Sequence, residues 1–377
     1  MADVRQFKKL AIRGFRGLCT LDLDELGSIN VLLGANDVGK TSILEAIFLV
    51  SNLSEPALSV RVQNRRNFMV QKIDDLSSVF FELDFDRSIE IEAFRDGLEY
   101  RKLSITAPEI ERSAGQKNEH GIDGPNGQRL GRQRSRGSDD QSSSVVHGSR
   151  VLQYDAVVRL AAEDSPSSFS VRLLDHGDEW GVDSDDSKRV RSDSTIPARF
   201  LGPTFGYDTD RIGKVVIGKK DDQLLEFLRI INERVTKVSI LGDIAYLDIG
   251  LSEMMPLNMF GSGMVRAAMI LSECLLREVR ILLIDELEYG LHYQAVTPLL
   301  EALLKLAEAL DIQVFATTHS IDVLKGLQEV LRKDEFLDYR DMATCFTIQR
   351  DKEGVVRPYR YAYEQFDHCV QHSIEIR

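Results

Sequence analysis

The chain has 377 residues, 43% of them hydrophobic, enough for one large or two medium domains with a substantial core. Its net charge of −13 excludes a surface that is basic throughout, as phosphate-neutralising duplex binding requires; it reads first as solubility and still allows a local basic patch. No apolar stretch reaches the ~20 residues of a membrane helix, and Cys19, Cys274, Cys345 and Cys369 are scattered without metal-ligand spacing, as reduced thiols are.

The start, Met-Ala-Asp-Val-Arg-Gln-Phe-Lys-Lys, carries charge where a secretory signal needs an apolar run, so a cytoplasmic location is expected. Residues 6–12 alternate as a strand, and a second short strand near Thr20–Leu23 follows; both are expected to pair beside the next strand, Val31–Leu33. Arg16, in the turn between them, has two readings: a side chain that approaches nucleotide phosphates, or a solvated turn arginine. Ile29–Ser42 then ends an apolar run in Gly34-Ala-Asn-Asp-Val-Gly39-Lys40-Thr41, a G-x-x-x-x-G-K-[ST] match with no substitution. Its glycines let backbone N–H groups curl around phosphate oxygens, and the following helix points its positive end at the same anion. Gly34, Asn36, Asp37, Val38, Gly39, Lys40, Thr41 and Ser42 are thus the candidate ATP cradle, with Lys40 on the β- and γ-phosphates and the Thr41 hydroxyl on Mg2+.

The helix over Ile43–Val50 is broken by Pro56. Val79–Asp86, Ser88–Phe94 and Leu98–Ile105 alternate polar and apolar residues as an antiparallel meander, Val151–Leu160 and Ser168–Leu174 read as strands, and Asp175–Ser194 reads as a loop. Residues 111–150 lose nearly all large apolar side chains and are expected to be disordered. Within them, Arg129–Arg136 is a small basic tract, either a nucleic-acid or partner contact or a solvated linker run. No sustained heptads indicate a coiled coil.

After Ala198 the chain turns apolar again, with a helical period over Asp221–Val235 and a hairpin around Gly242-Asp243. Gly261-Ser262-Gly263 opens a helix over Ala267–Leu276, as an anion-binding turn or as plain capping. Arg280–Ile284 is an apolar strand that ends in Asp285 and Glu286, at the carboxyl end where ligands bind in open α/β sheets. Asp285 is the candidate Mg2+ ligand and Glu286 the base that deprotonates water; Glu288 supports the metal or water, or is a helix N-terminal acid. A third core strand, Ile312–Thr318, delivers His319, which can hydrogen-bond the γ-phosphate or the water. The remainder is a hairpin around Gly354 with a short helix, and no acidic cluster of the kind a two-metal nuclease needs is present.

In this order GANDVGKTS, FGSGM, ILLIDELEYGLH and TTHS resemble the P-loop, signature, acidic and switch-histidine motifs of ABC-type ATPases. The set is most similar to the AAA-type ATPases related to the OLD family, over roughly residues 6–55 and 198–377. The resemblance implies an α/β P-loop NTPase with an ABC-type head, a mixed sheet flanked by helices built from residues 1–55 and 198–377. Residues 56–197 would be a β-rich insertion. It also implies ATP and Mg2+ as cofactors and a head-to-tail homodimer or higher homo-oligomer in which Gly261, Ser262 and Gly263 contact γ-phosphate in trans. The signature departs from the usual one, with its serine one place later and methionine where Gln or Glu is common. The chain stops shortly after the core, without the Toprim domain of OLD nucleases. It therefore resembles an ATPase that serves a separate effector protein, similar to the AriA-type ATPases of the PARIS anti-phage defence. A DNA-binding ATPase of the RecF repair type is the alternative. A pure interaction module is disfavoured by the intact Lys40, Asp285, Glu286 and His319, and GTP by the absence of an Asn-Lys-x-Asp motif. No residue is assigned to the base.

Overall fold

The computed structural model describes residues 7–53, 62–63, 66, 70, 73–95, 98–110, 149–159, 167–175, 180–184, 195–203, 207–276 and 279–372. In chain order β1 (Lys9–Phe15), β2 (Leu18–Leu23) and β3 (Ile29–Leu33) precede α1 (Lys40–Ser51). Then come β4 (Ile89–Arg95), β5 (Leu98–Thr106), β6 (Glu109–Ile110), β7 (Ser149–Val158), β8 (Ser167–Asp175), β9 (Trp180–Ser184) and β10 (Ala198–Leu201). Two helices, α2 (Thr209–Ile217) and α3 (Asp221–Ile231), lead to β11 (Lys237–Leu241), β12 (Ile244–Asp248) and β13 (Met255–Pro256). The chain closes with α4 (Ser262–Leu276), β14 (Ile281–Ile284), α5 (Tyr293–Leu310), β15 (Gln313–Thr318) and α6 (Ile321–Leu331). The hairpin β16 (Ala343–Arg350) and β17 (Val356–Tyr361), then α7 (Tyr363–Gln371), follow.

The central sheet runs β10-β14-β15-β3-β16-β17, parallel except for the β17 edge. Alternate side chains feed two cores: Val31, Leu282, Ile284 and Val314 face the helices of the C-terminal half, whereas Leu32, Leu283, Phe315 and Phe346 face α1. Both faces are covered, which is why these strands read as continuous apolar runs rather than as alternations. On the second face α1 lies between β10, β14 and β15 on one side and β1, β4 and β5 on the other. Eleven of its twelve residues are buried, as expected of a helix that is apolar all round. Buried Arg101 of β5 donates to the Ser51 carbonyl at 3.1 Å and so binds the outer sheet to the end of α1, where carbonyls lack helical partners.

The N-terminal strands do not pair beside β3. Both edges of β3 are taken, by β15 and β16, and β1 and β2 instead open an antiparallel sheet in the order β2-β1-β4-β5-β7-β8-β9, with β6 on β7. Buried Gln313 ties the layers: its amide nitrogen donates to the Phe7 and Gly27 carbonyls at 2.8 Å, and its oxygen accepts from Phe7 N at 3.0 Å. The outer sheet therefore runs across the boundary expected at residue 55, because β1 hydrogen-bonds directly to β4.

Two further expectations are corrected, and one helix is added. Val79–Asp86 is not a strand; 3-10 turns over Ile73–Val79 and Phe81–Leu83 fold the segment back, with the Phe80 and Phe85 rings 5.1 Å apart. β9 interrupts the loop expected over Asp175–Ser194 by pairing with β8. α2 was not anticipated, although Asp208 caps it by accepting from Asp210 N at 3.1 Å. Of the stretch expected to be disordered, residues 111–150, residues 111–148 with the basic tract Arg129–Arg136 lie outside the described residues, whereas 149–150 open β7 and pair with β6. Among the described residues no helix is long and apolar enough to cross a membrane.

Candidate active site

The parallel registers align the carboxyl ends of β14, β15, β3 and β16 along one edge, where a cleft of about 710 Å³ opens. At the end of β3, Gly34 has φ +147, and a Cβ there would stand 2.4 Å from the Ile348 carbonyl oxygen. Gly39 is the N-cap of α1 with φ +104, and a Cβ would meet Leu18 at 2.8 Å. Only glycine fits both positions. Between them the loop presents Asn36 and Asp37 to the cleft, with Val38 buried beneath, and α1 continues with Lys40, Thr41 and Ser42 along the wall.

Lys40 folds back over the loop, its Nζ donating to the Gly34 carbonyl at 2.8 Å and the Ala35 carbonyl at 2.7 Å. Burial lowers its pKa, against the opposing pull of Asp285, Glu288 and Glu286. Across the cleft, Asp285 is buried and accepts from the Thr41 hydroxyl at 3.0 and 3.1 Å and from the Thr317 hydroxyl at 2.6 Å. A carboxylate and a hydroxyl converging beside an anion cradle are the hard oxygen donors that suit a divalent cation shared with phosphates.

Glu286 lines the same cleft and adopts a left-handed φ of +50. Its peptide is gripped on both sides: N donates to Thr317 Oγ1 at 2.8 Å, and O accepts from Arg266 Nη2 at 3.0 Å. Arg266, on α4, is itself buried and also reaches the Pro203 carbonyl at 3.1 Å. Its pKa is lowered by burial and supported by Glu288, Glu286 and Asp285. His319 stands half-exposed at the rim, where Glu288 Oε1 accepts from its backbone N at 2.9 Å and lies 2.9 Å from Nδ1. Glu288 therefore orients the histidine rather than serving as a helix-end acid.

Arg16 lines the cleft but is not a solvated turn residue. It is buried in an ion pair with Glu45 at 2.7 Å and donates to Gln63 Oε1 at 2.8 Å. Burial pulls its pKa down to about 10 against the raising effect of Glu45. Glu45, 2% exposed in the middle of α1, also holds Arg66 at 2.9 Å, so one carboxylate fixes two guanidinium groups on the cleft wall. Glu45→Ala is expected to destabilise the fold by about 3–5 kcal/mol, because it strands the buried Arg16 charge; the half-exposed Arg66 adds little. Urea unfolding of the two proteins measures this directly, and a loss under about 1 kcal/mol would show that the ion pair does not anchor the wall.

Gly261, Ser262 and Gly263 are not brought into the cleft. They form the start of α4, with Gly261 and Ser262 exposed and the Ser262 hydroxyl donating to the Gly290 carbonyl. Gly263 is buried where a Cβ would lie 2.5 Å from that of Ala295, so it serves helix packing as well. Sequence reasoning missed Glu45, Arg266 and Thr317. A lone glutamate inside the apolar run Ile43–Val50 was the available signal for the first, since glutamate is almost never fully buried unless paired. The partners of Thr317 are set by sheet register and those of Arg266 by the packing of α4 on the sheet, and neither is visible in any local pattern.

Comparison with known proteins places the chain. It is 27% identical over 126 residues to a Helicobacter pylori protein named ATP/GTP phosphatase, a match covering 33% of each chain. It is 29% identical over 107 residues to a protein of Methanocaldococcus jannaschii, covering 28% of this chain and 48% of that one. The chain thus spans about a third to a half of the length of these relatives. Among solved structures, the SMC head domain from Thermotoga maritima superposes with a TM-score of 0.47 at 12% identity, over 95% of this chain and 99% of that one. The family described as "AAA domain, putative AbiEii toxin, Type IV TA system" matches residues 29–325, from the P-loop strand to the helix beyond His319, and the chain belongs to this family of P-loop ATPase domains.

Proposed function

We propose that the chain is an ATP-driven switch: it binds ATP with Mg2+ in the cleft, pairs with a second copy around the nucleotide, and through that closure controls a separate effector in bacterial anti-phage defence. The observation that carries this reading is the division of the site. Lys40, Thr41, Asp285, Glu286 and His319 share one cleft, whereas Gly261 and Ser262 lie exposed outside it at the start of α4, with Gly263 buried against α5. A second copy can supply such a turn in trans, its backbone N–H groups and helix dipole meeting the γ-phosphate.

In this mechanism the loop amides hold the phosphates and Lys40 exchanges its bonds to the Gly34 and Ala35 carbonyls for the β- and γ-phosphate oxygens. Thr41 and Asp285 would hold Mg2+, which neutralises charge developing on the transferred phosphoryl group. Glu286 orients the attacking water and takes its proton, and His319, held by Glu288, hydrogen-bonds the γ-phosphate or that water. A family description that names a type IV TA system supports the defence setting, and the name of the Helicobacter relative supports nucleotide hydrolysis.

Light scattering tests the central claim. With a non-hydrolysable ATP analogue the mass is expected to shift from one copy to two. Ser262→Arg, placed on the exposed turn, should abolish the shift while leaving analogue affinity of the single copy within about threefold, since surface substitutions are usually mild. Retention of the shift by Ser262→Arg would sink the trans contact.

A further inference from the structure

We infer that the nucleoside of the bound triphosphate lies on the opposite side of the P-loop from the acids, resting on the Arg350 guanidinium and the Leu83 side chain. This inference rests on the cleft being a nucleotide site and adds the residues that receive the base and sugar. The order of the central sheet sets the direction. Asp285 and Glu286 follow β14, His319 follows β15, the P-loop follows β3, and Arg350 ends β16. A γ-phosphate facing Glu286 and His319 therefore directs the other end of the triphosphate across the P-loop toward β16.

At that end the chain builds a continuous wall. Leu18 packs against Gly39 of the P-loop, at 2.8 Å from where a Cβ would stand, and Arg350 Nη2 lies 3.3 Å from the corresponding point on Gly17. Arg16 N donates to the Val79 carbonyl at 2.8 Å and Phe15 bridges to Phe80, so the same turn carries the segment ending in Leu83. Both Leu83 and Arg350 line the cleft. Leu83 is 62% exposed and, with Glu82, holds a left-handed backbone, φ +60 after +57. An exposed leucine held in a disfavoured conformation at a cleft rim has no packing reason, and such strain collects at ligand clamps. Arg350 is exposed and its Nη1 donates to the Gly354 carbonyl at 2.7 Å, which fixes the guanidinium plane. Guanidinium planes are among the usual faces on which bases stack, and apolar side chains also sandwich a base in its pocket.

The test is calorimetric titration of the full chain and of Arg350→Ala, Leu83→Ala and Leu83→Gly with ATP and with inorganic tripolyphosphate, both with Mg2+. Leu83→Gly removes the side chain while keeping a residue at ease with φ +60, which separates lost contact from lost backbone shape. Each substitution is expected to weaken ATP about 5- to 150-fold, the range for loss of one base-stacking face, and to leave tripolyphosphate within about twofold. Equal weakening of tripolyphosphate would make Arg350 a phosphate ligand and overturn the inference, as would unchanged ATP affinity in all three variants. Wild-type chain that binds tripolyphosphate and ATP equally well overturns it too, while leaving the P-loop reading intact. Binding of neither removes the nucleotide reading and this one with it.

Discussion

Glu286→Gln is expected to slow ATP hydrolysis about 10²- to 10⁴-fold, the usual worth of a positioned general base, while changing ATP affinity by less than about threefold. The separation follows from how the residue is held. Its left-handed φ of +50 carries a cost on the order of 1–3 kcal/mol, and it persists because Thr317 grips the peptide nitrogen and Arg266 the carbonyl. Both bonds are made to backbone atoms, so glutamine keeps the geometry and loses only the ability to accept a proton from water. Single-turnover rates set beside equilibrium binding read the two effects apart; a tenfold weaker Kd with unchanged kcat would make Glu286 a binding residue and end its assignment as base. The same variant should accumulate the closed pair, so its purification from the native host with ATP is expected to bring the effector along. Salt-sensitive retention of DNA without a second protein would favour the RecF-type alternative instead.

The P-loop and the β14 acids could be read from the sequence because each depends on a short contiguous stretch: an apolar run, then residues with no role in packing. What brings them together could not be read. Thr41 and Asp285 meet across 244 positions, and that meeting depends on β14, β15 and β3 lying parallel in one order. Residues 6–12 alternate correctly as a strand, yet alternation says nothing about which sheet receives it; the occupied edges of β3 decide that. Val79–Asp86 failed differently. Its alternation would satisfy a strand, but buried Phe80 packs on Phe85 and the chain turns at Glu82 and Leu83, so tertiary packing overrode the local period. The motifs thus named the chemistry, whereas Glu45, Arg266 and Thr317, which hold the chemical groups in place, became visible only through their contacts.

Lys40→Met should remove nucleotide binding, by more than about 100-fold, and yet leave the free protein about as stable as before. Each hydrogen bond from the ammonium to a phosphate is worth about 1.5–3 kcal/mol, and two are lost. In the free protein the side chain is mostly buried and its pKa is lowered by that burial, so the charged form costs stability at neutral pH. Methionine removes the cost along with the bonds to Gly34 and Ala35, and the two changes oppose each other. A lysine with a lowered folded pKa binds fewer protons folded than unfolded in the window between that value and 10.5, so its contribution rises with pH there. Wild type should accordingly gain on Lys40→Met as pH climbs toward 10.5. With ATP at about 100 times Kd, wild type is stabilised by about 2.7 kcal/mol, which raises Tm by roughly 3–5 °C in a chain of 377 residues. Thermal scans of Lys40→Met with and without ATP should coincide; an ATP-dependent rise of similar size would show that the loop amides bind the phosphates without the lysine.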